Sequence, residues 1–559
     1  MKIRSSLLRP TLAVCFFGAT LPGLSQIMTI PLSYYVAQVK NINPGAGNAS
    51  VMGDGARLVE LNGSLYFAAD NGANGAELWK TSGTAASTAL VKNINGSGAS
   101  NPDWLTRVNG TLFFVATGPS GRELYKSDGT VDGTVLVKDI RVGGDANPWG
   151  LTAVNGMLFF VANNGTSGEE LWKSDGTAAG TVLVKDIKPG AGGSVPNYMR
   201  KMAVLGGNAF LVADDGVNGE ELWKTDGTEA GTVLVKNIHP TSSSNLFEMV
   251  VMNNLLYMTA NDGTNGTELW KSDGTEAGTV LVKNLVAGSG SSQPQDLEAV
   301  GSTLFFRATV GGDTELYKSD GTAGGTVLAK NISASGSSFP SYLTNVNGTL
   351  YFSANDGTHG TELWKSDGTG GGTVMVEDLT PGSGSSSLTN LTAVNNRLFF
   401  QFNEPWKSSG TAASTAMLDN INPTGNSAAT GFTALGSTVF FWATDGSTGM
   451  ELYKYASCYI CPMGRLAAEE PPVTATLQLS LRPNPVRHTI TVDITNGTDH
   501  ALQLHLTSLH GKTIENRQVV HPKAVEQQTF DVSGQPAGVM VLHVRAGDQE
   551  QTVKVLKTD

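Results

Sequence analysis

Carboxylates and aromatic rings are the groups in this sequence that could do chemistry, and both recur at intervals. Loops of the form Asn/Asp-Asp-Gly-x-x-Gly place Asp215, Asp262 and Asp356 near backbone carbonyls. Calcium favours oxygen ligands of that kind, so these three aspartates are the candidate ligands of a weak calcium site, and no other cofactor is expected. The spacing matches neither an EF-hand nor a Gly-rich nonapeptide repeat. Hairpin-turn chemistry explains the same residues, because Asp bonds nearby amides and Gly supplies positive φ. Trp79, Trp172, Trp223, Trp270 and Trp364 hold one register, which reads as packing between units. A less regular set, Trp104, Trp149, Tyr198, Phe247 and Tyr342, lies in the segments leading into successive units. Rings there could stack on sugars, so these five are the candidate ligand-binding residues.

Catalysis asks for an acid/base cluster that occurs once, whereas the carboxylates here recur in unit after unit. No His/Cys cluster, P-loop, serine-hydrolase elbow or dinucleotide fingerprint is present, so no catalytic residue is expected. The chain is therefore expected to be a binding, adhesion or structural protein and not an enzyme. A glycan-degrading enzyme is the alternative. The formal net charge of −12 disfavours a phosphate backbone as partner and leaves a glycan or a surface protein.

What positions these residues is an internal repeat. Glu-Leu-Trp/Tyr-Lys followed by Ser/Thr-Asp-Gly-Thr is its clearest mark. The glutamate falls at Glu77, Glu123, Glu170, Glu221, Glu268, Glu315, Glu362, Glu404 and Glu451, with spacings of 46, 47, 51, 47, 47, 47, 42 and 47. Within one copy, 343–346 and 349–353 read as strands joined by an Asn347-Gly348 hairpin turn. Residues 362–365 and 373–377 supply two more strands, and no long stretch has helical periodicity. Four-strand units of this length stacked in series predict an all-β propeller, since each unit needs neighbours to cover both faces. Val39–Ile42 resembles a fourth strand, and the array ends at Glu451–Lys454 on a third. Pairing the two would close the array. The count is nine blades, with eight as the fallback because the unit holding Glu404 is eroded. Lys92, Lys138, Lys185, Lys236, Lys283 and Lys330 on the fourth strands read as guards against edge-to-edge aggregation.

These motifs resemble the ELWxxDGT repeat proteins of bacteria over roughly residues 39–455, with Glu170 to Thr177 matching the name motif directly. The resemblance implies an extracellular propeller-like repeat and no known activity. The SDGT turns also resemble the Asp-box hairpins of sialidase-type propellers, without implying that chemistry. A second resemblance begins at Leu481-Arg482-Pro483-Asn484-Pro485-Val486 and continues through Leu506 to Lys512, Phe530 to Ser533, Pro536 to Val539 and Val553 to Lys557. This order is similar to the type A sorting domain of the type IX secretion system. It implies a Bacteroidota-type route across the outer membrane, with the secretion machinery as partner through residues 475–559. From residues alone, the same segment reads as a small antiparallel β-sandwich with alternating Ile490, Val492 and Ile494.

The divisions expected are a signal peptide over 1–25, the repeat array over 35–455, a linker over 456–474 and the sorting domain over 475–559. Lys2, Arg4 and Arg9 precede the apolar run from Thr11 to Leu24, and cleavage fits after Ser25. No later run approaches the roughly 18 apolar residues of a membrane span. Cys458 and Cys461 form one CxxC without a second pair, which does not make a four-ligand zinc site.

Overall fold

The computed structural model describes residues 33–558 except 52–56, 97, 199–201, 459–477, 483, 496–500, 510–511, 521–524 and 547–548. Segment 1–25, Cys461 and most of the 456–474 linker lie outside the described residues. The chain divides into two compact units, Met1–Cys461 and Pro462–Asp559. Regular structure is strand throughout the described residues, apart from one short 3-10 turn at Ala412–Ser414.

The first unit contains nine four-stranded antiparallel sheets among its described residues, and none of them closes into a barrel. Eight follow chain order, at 59–92, 103–138, 149–185, 203–236, 247–283, 295–330, 341–377 and 389–417. The seventh shows why the sequence folds this way. Asn347 and Gly348, at φ 50° and 85°, form the tight turn between Ser341–Val346 and Thr349–Asn355. Leu350, Tyr351 and Phe352 are consecutive and all buried, so both faces of the second strand are covered. The covering comes from neighbouring sheets. Leu350, Phe352 and Trp364 share a core with Phe305 and Leu316 of the sixth sheet and with Ile332 just beyond it. Trp364 thus packs between sheets, as its register implied.

The ninth sheet is composite. Ser33–Lys40 pairs antiparallel with Met450–Cys458, followed by Thr438–Thr444 and Thr430–Leu435. The pairing expected at Val39–Ile42 therefore begins earlier in the chain. Met450–Cys458 has no Asp-Gly turn after Lys454 and runs on as strand, so it offers partners back to Ser33. This sheet packs on the first one. Phe67 meets Trp442 edge-on at 5.4 Å, and both share a core with Val39, Trp79, Phe440 and Leu452. The eroded eighth unit still forms a four-stranded sheet, although its last strand is only Ala416–Met417.

Lysines tie each sheet to the next. The fourth-strand lysines expected to guard edges instead donate Nζ to a threonine carbonyl of the following sheet. Examples are Lys92 to Thr134, Lys185 to Thr232 and Lys330 to Thr373, at 2.6–2.9 Å. The lysine of each Glu-Leu-Trp-Lys strand reaches a turn glycine carbonyl, as in Lys173 to Gly227 and Lys365 to Gly410. Lys454 does the same from the ninth sheet to Gly83 in the first. The first kind of tie fails between the seventh and eighth sheets. Glu377 stands at the lysine position, and its Oε2 is buried with no partner among the described residues. Glu377→Lys is expected to raise the melting temperature by a degree or more, since a charge-assisted hydrogen bond replaces an orphaned buried oxygen. A thermal-shift assay checks this, and a fall on substitution would refute it.

The second unit has two antiparallel sheets. One holds Gln478–Arg482, Thr489–Thr495 and Val525–Asp531; the other holds Thr513–Val519, Leu502–Ser508, Gly538–Ala546 and Gln549–Lys557. Alternate residues Ile490, Val492 and Ile494 of the first share one core with Leu502, Leu504, Leu506, Leu542 and Val544 of the second. That is the alternation of a two-sheet sandwich.

Candidate functional site

The first strand of seven sheets begins in the same irregular way. Its second residue is left-handed: Trp104, Gly150, Glu248, Asp296, Tyr342, Asn390 and Gly431, with φ between 53° and 71°. At that residue the pairing with the second strand shifts register. Gly150 and Gly431 take this backbone freely. Each of the other five stores strain of about 1–3 kcal/mol. A register shift of this kind re-aims a side chain out of the sheet's regular alternation. The frame is constant while the residue it presents varies from aromatic to acidic to glycine.

Three of the five candidate aromatics meet at one cavity. Tyr198, Phe247 and Tyr342 line a space of about 910 Å³ together with Glu248, Asp296 and Leu297. They are 40 %, 50 % and 47 % exposed, which is unusual for rings of this size in a chain with so extensive a core. The Tyr198 hydroxyl donates to the Glu220 carboxylate. Burial and that carboxylate push the tyrosine pKa up. Trp104 lines a second cavity of about 790 Å³ with Arg57, Arg107 and Thr152. Met249 borders both cavities. Trp149 lines neither and packs against the core shared by the third, fourth and fifth sheets.

Two carboxyls in the first cavity were not singled out from the sequence. Glu248 accepts the backbone N–H groups of Asp296, at 3.1 Å, and Leu297, at 2.8 Å. Burial pushes its pKa up, against the pull of those donors. Asp296 is likewise raised by burial, while Arg307, with Nε 3.4 Å from Oδ2, pulls it down. Neither belongs to the repeated motif. Glu248 follows Phe247 but Asp296 follows Gln295, so no shared residue pattern marks the two in the sequence.

The repeated glutamates are buried clamps. Glu170 accepts the N–H groups of Ile187 and Lys188 and the hydroxyl of Ser194. Glu268 holds Leu285, Val286 and Ser292 in the same way. Glu451 applies the clamp across the chain ends, to the N–H groups of Ile42 at 2.8 Å and Asn43 at 3.0 Å.

The candidate calcium ligands sit in tight turns. Asp262 Oδ1 accepts the N–H groups of Thr264 and Asn265, and Oδ2 accepts Asn265 Nδ2. Asp215 makes the same contacts with Val217 and Asn218, and Asp356 with Thr358 and His359. Burial works to raise these carboxyls, but the converging donors hold all three below the usual range. Among the described residues no three His, Cys, Asp or Glu side chains gather as a metal would require.

Residues 480–558 match the secretion system C-terminal sorting domain. The sorting domain makes this chain a secreted or cell-surface protein of the type IX route, and its partner is the type IX secretion machinery. No helix among the described residues is long and apolar enough to cross a membrane. No curated protein matches the chain. Similar solved structures are oligopeptidase B from Leishmania major, at 9 % identity and TM-score 0.35, and a puromycin hydrolase mutant, at 13 % and 0.34. They cover 81 % and 72 % of this chain, which in turn spans 54 % and 62 % of theirs. The tricorn protease is similar at 11 % identity and TM-score 0.24, with 81 % of this chain and 44 % of that one covered. These neighbours are peptidases, so the expectation that the chain is not an enzyme is withdrawn. A likeness this distant assigns no activity of its own.

Proposed function

We propose that the nine sheets are blades of one closed propeller of the ELWxxDGT type, and that its mouth binds a glycan outside the cell. The clamp from Glu451 to Ile42 and the shared core of Phe67 and Trp442 support closure. The observation that carries the binding reading is the convergence of Tyr198, Phe247 and Tyr342, all substantially exposed, on one cavity of about 910 Å³. Phe247 and Tyr342 stand on strands and Tyr198 in the turn before Ala203–Leu205, and exposed rings of this kind stack on sugar faces. Tyr198→Ala with Tyr342→Ala is expected to cut binding on a glycan array at least about tenfold, as two lost stacking contacts imply. Unchanged array signals from a double variant with an unaltered melting curve would sink the reading.

A second reading, a glycan-degrading enzyme, has Glu248 and Asp296 in its favour. Two carboxyls in one cavity, both raised by burial, are the groups such hydrolysis uses. Release of reducing ends from an array-positive glycan, lost in Glu248→Gln, would establish it.

A further inference from the structure

Charge around the first cavity is unbalanced. Glu248, Asp296 and Tyr342 all occupy the left-handed second position of their strands, so the same backbone device presents them in three successive sheets. Arg307 is the one cationic side chain paired to this pair of carboxyls among the described residues. Its Nε faces Asp296, it favours the ionised form of Glu248, and its other nitrogens go to Gln295 Oε1 at 2.5 Å and Ser341 Oγ at 3.3 Å. Two carboxylates therefore share one guanidinium. Glu220 adds a further carboxylate at the Tyr198 hydroxyl. The faces of Tyr198, Phe247 and Tyr342 carry the negative side of their ring quadrupoles, which attracts cations in the same sense.

We infer that this cavity takes a saccharide bearing a cationic nitrogen, with its ring on Tyr198, Phe247 and Tyr342 and its ammonium beside Glu248 and Asp296. A neutral sugar leaves the excess negative charge unanswered, and an anionic one is repelled by it. A cation gains Coulombic attraction to the carboxylates and the attraction of the rings at once. This deepens the glycan-binding reading above and rests on it.

The test is calorimetric titration of the full secreted chain with two probes. One is a hexamer of N,N,N-trimethylglucosamine, whose charge does not depend on pH; the other is the neutral N-acetylglucosamine hexamer. The cationic probe is expected to bind at least about tenfold more tightly, a difference of about 1.4 kcal/mol. Glu248→Gln with Asp296→Asn brings it down to the neutral affinity. Arg307→Gln, titrated at pH 8 so that losing the guanidinium does not leave the carboxyls protonated, widens the gap. Should the double variant melt early, Arg307→Gln alone decides. Equal affinity for the two probes, with Tyr198→Ala still weakening both, overturns the charge assignment and leaves the binding mouth standing. Failure of both probes to bind overturns the two readings together. A preference that survives the double variant, or narrows in Arg307→Gln, also overturns the inference.

Discussion

Replacing Glu451 with alanine is expected to lower the melting temperature of the repeat unit by several degrees and to expose the 33–43 segment to protease. Its carboxylate accepts two backbone N–H groups, from Ile42 and Asn43, which lie 409 and 408 residues away in sequence. Ile42 is buried, so its orphaned donor has no water to turn to. Each lost acceptor costs about 1–3 kcal/mol, a large share of the 5–15 kcal/mol that typically holds a domain together. Glu451→Gln keeps one acceptor oxygen and is expected to fall between wild type and alanine. Glu268→Ala is the control. It removes the same clamp from the middle of the chain, where it holds Leu285, Val286 and Ser292. Both alanine variants should melt early, but only Glu451→Ala should release an N-terminal peptide in limited proteolysis. Identical digestion patterns would show that the chain ends are not held by this clamp.

The same glutamates make stability depend on pH. Burial raises Glu123, Glu170, Glu221 and Glu451 from the ordinary 4.5 to about 7, although each accepts backbone N–H groups that pull the other way. Asp139, Asp186 and Asp445 lie close enough to Glu123, Glu170 and Glu451 to push those three further up. Between about 4.5 and 7 the folded chain thus holds protons that the unfolded chain has released. Stability from this source is full below about pH 4.5 and is lost as pH rises through about 7. A loss of at least about 1 kcal/mol per pH unit is expected across that window. The turn aspartates act in the opposite sense and elsewhere. The Thr hydroxyls and N–H groups of the Ser/Thr-Asp-Gly-Thr turns hold Asp175, Asp226 and Asp367 below 3.8, so their contribution is lost only in stronger acid. Thermal melts from pH 5 to pH 8 check the prediction, and Glu170→Gln with Glu221→Gln should flatten the slope. Melting temperatures that climb with pH would mean that the N–H donors outweigh burial.

The strand pattern, the turns and the pairing of the first strand with the last were all legible in the sequence. Each follows from local rules: alternation or runs of apolar residues, Asn-Gly at a hairpin, and an orphan strand at each end. What crosses from sheet to sheet was not legible. Lys92 and Lys185 look like edge lysines until the neighbouring Thr134 and Thr232 carbonyls are in place. The glutamates marked the period, but their burial depends on linker amides 17 or more residues away. At the cavity, Tyr198, Phe247 and Tyr342 were found by their irregularity within a regular array. Trp149 shared that signal and yet packs against the core, because position in a unit does not say which neighbour covers the ring. Glu248 and Asp296 escaped notice because a left-handed residue followed by a register shift leaves no mark when the residue is not glycine.

The pairing of Ser33–Lys40 with Met450–Cys458 also sets a timetable. Chains are made from the N-terminus at about 5–20 residues per second, so the residues that clamp Ile42 follow it roughly 20–80 s later. For that interval the earliest strand waits with its hydrogen-bonding groups unmatched, while the sheets behind it assemble from nearby contacts. Among the described strands of the first unit, the earliest made is the last to find its partner.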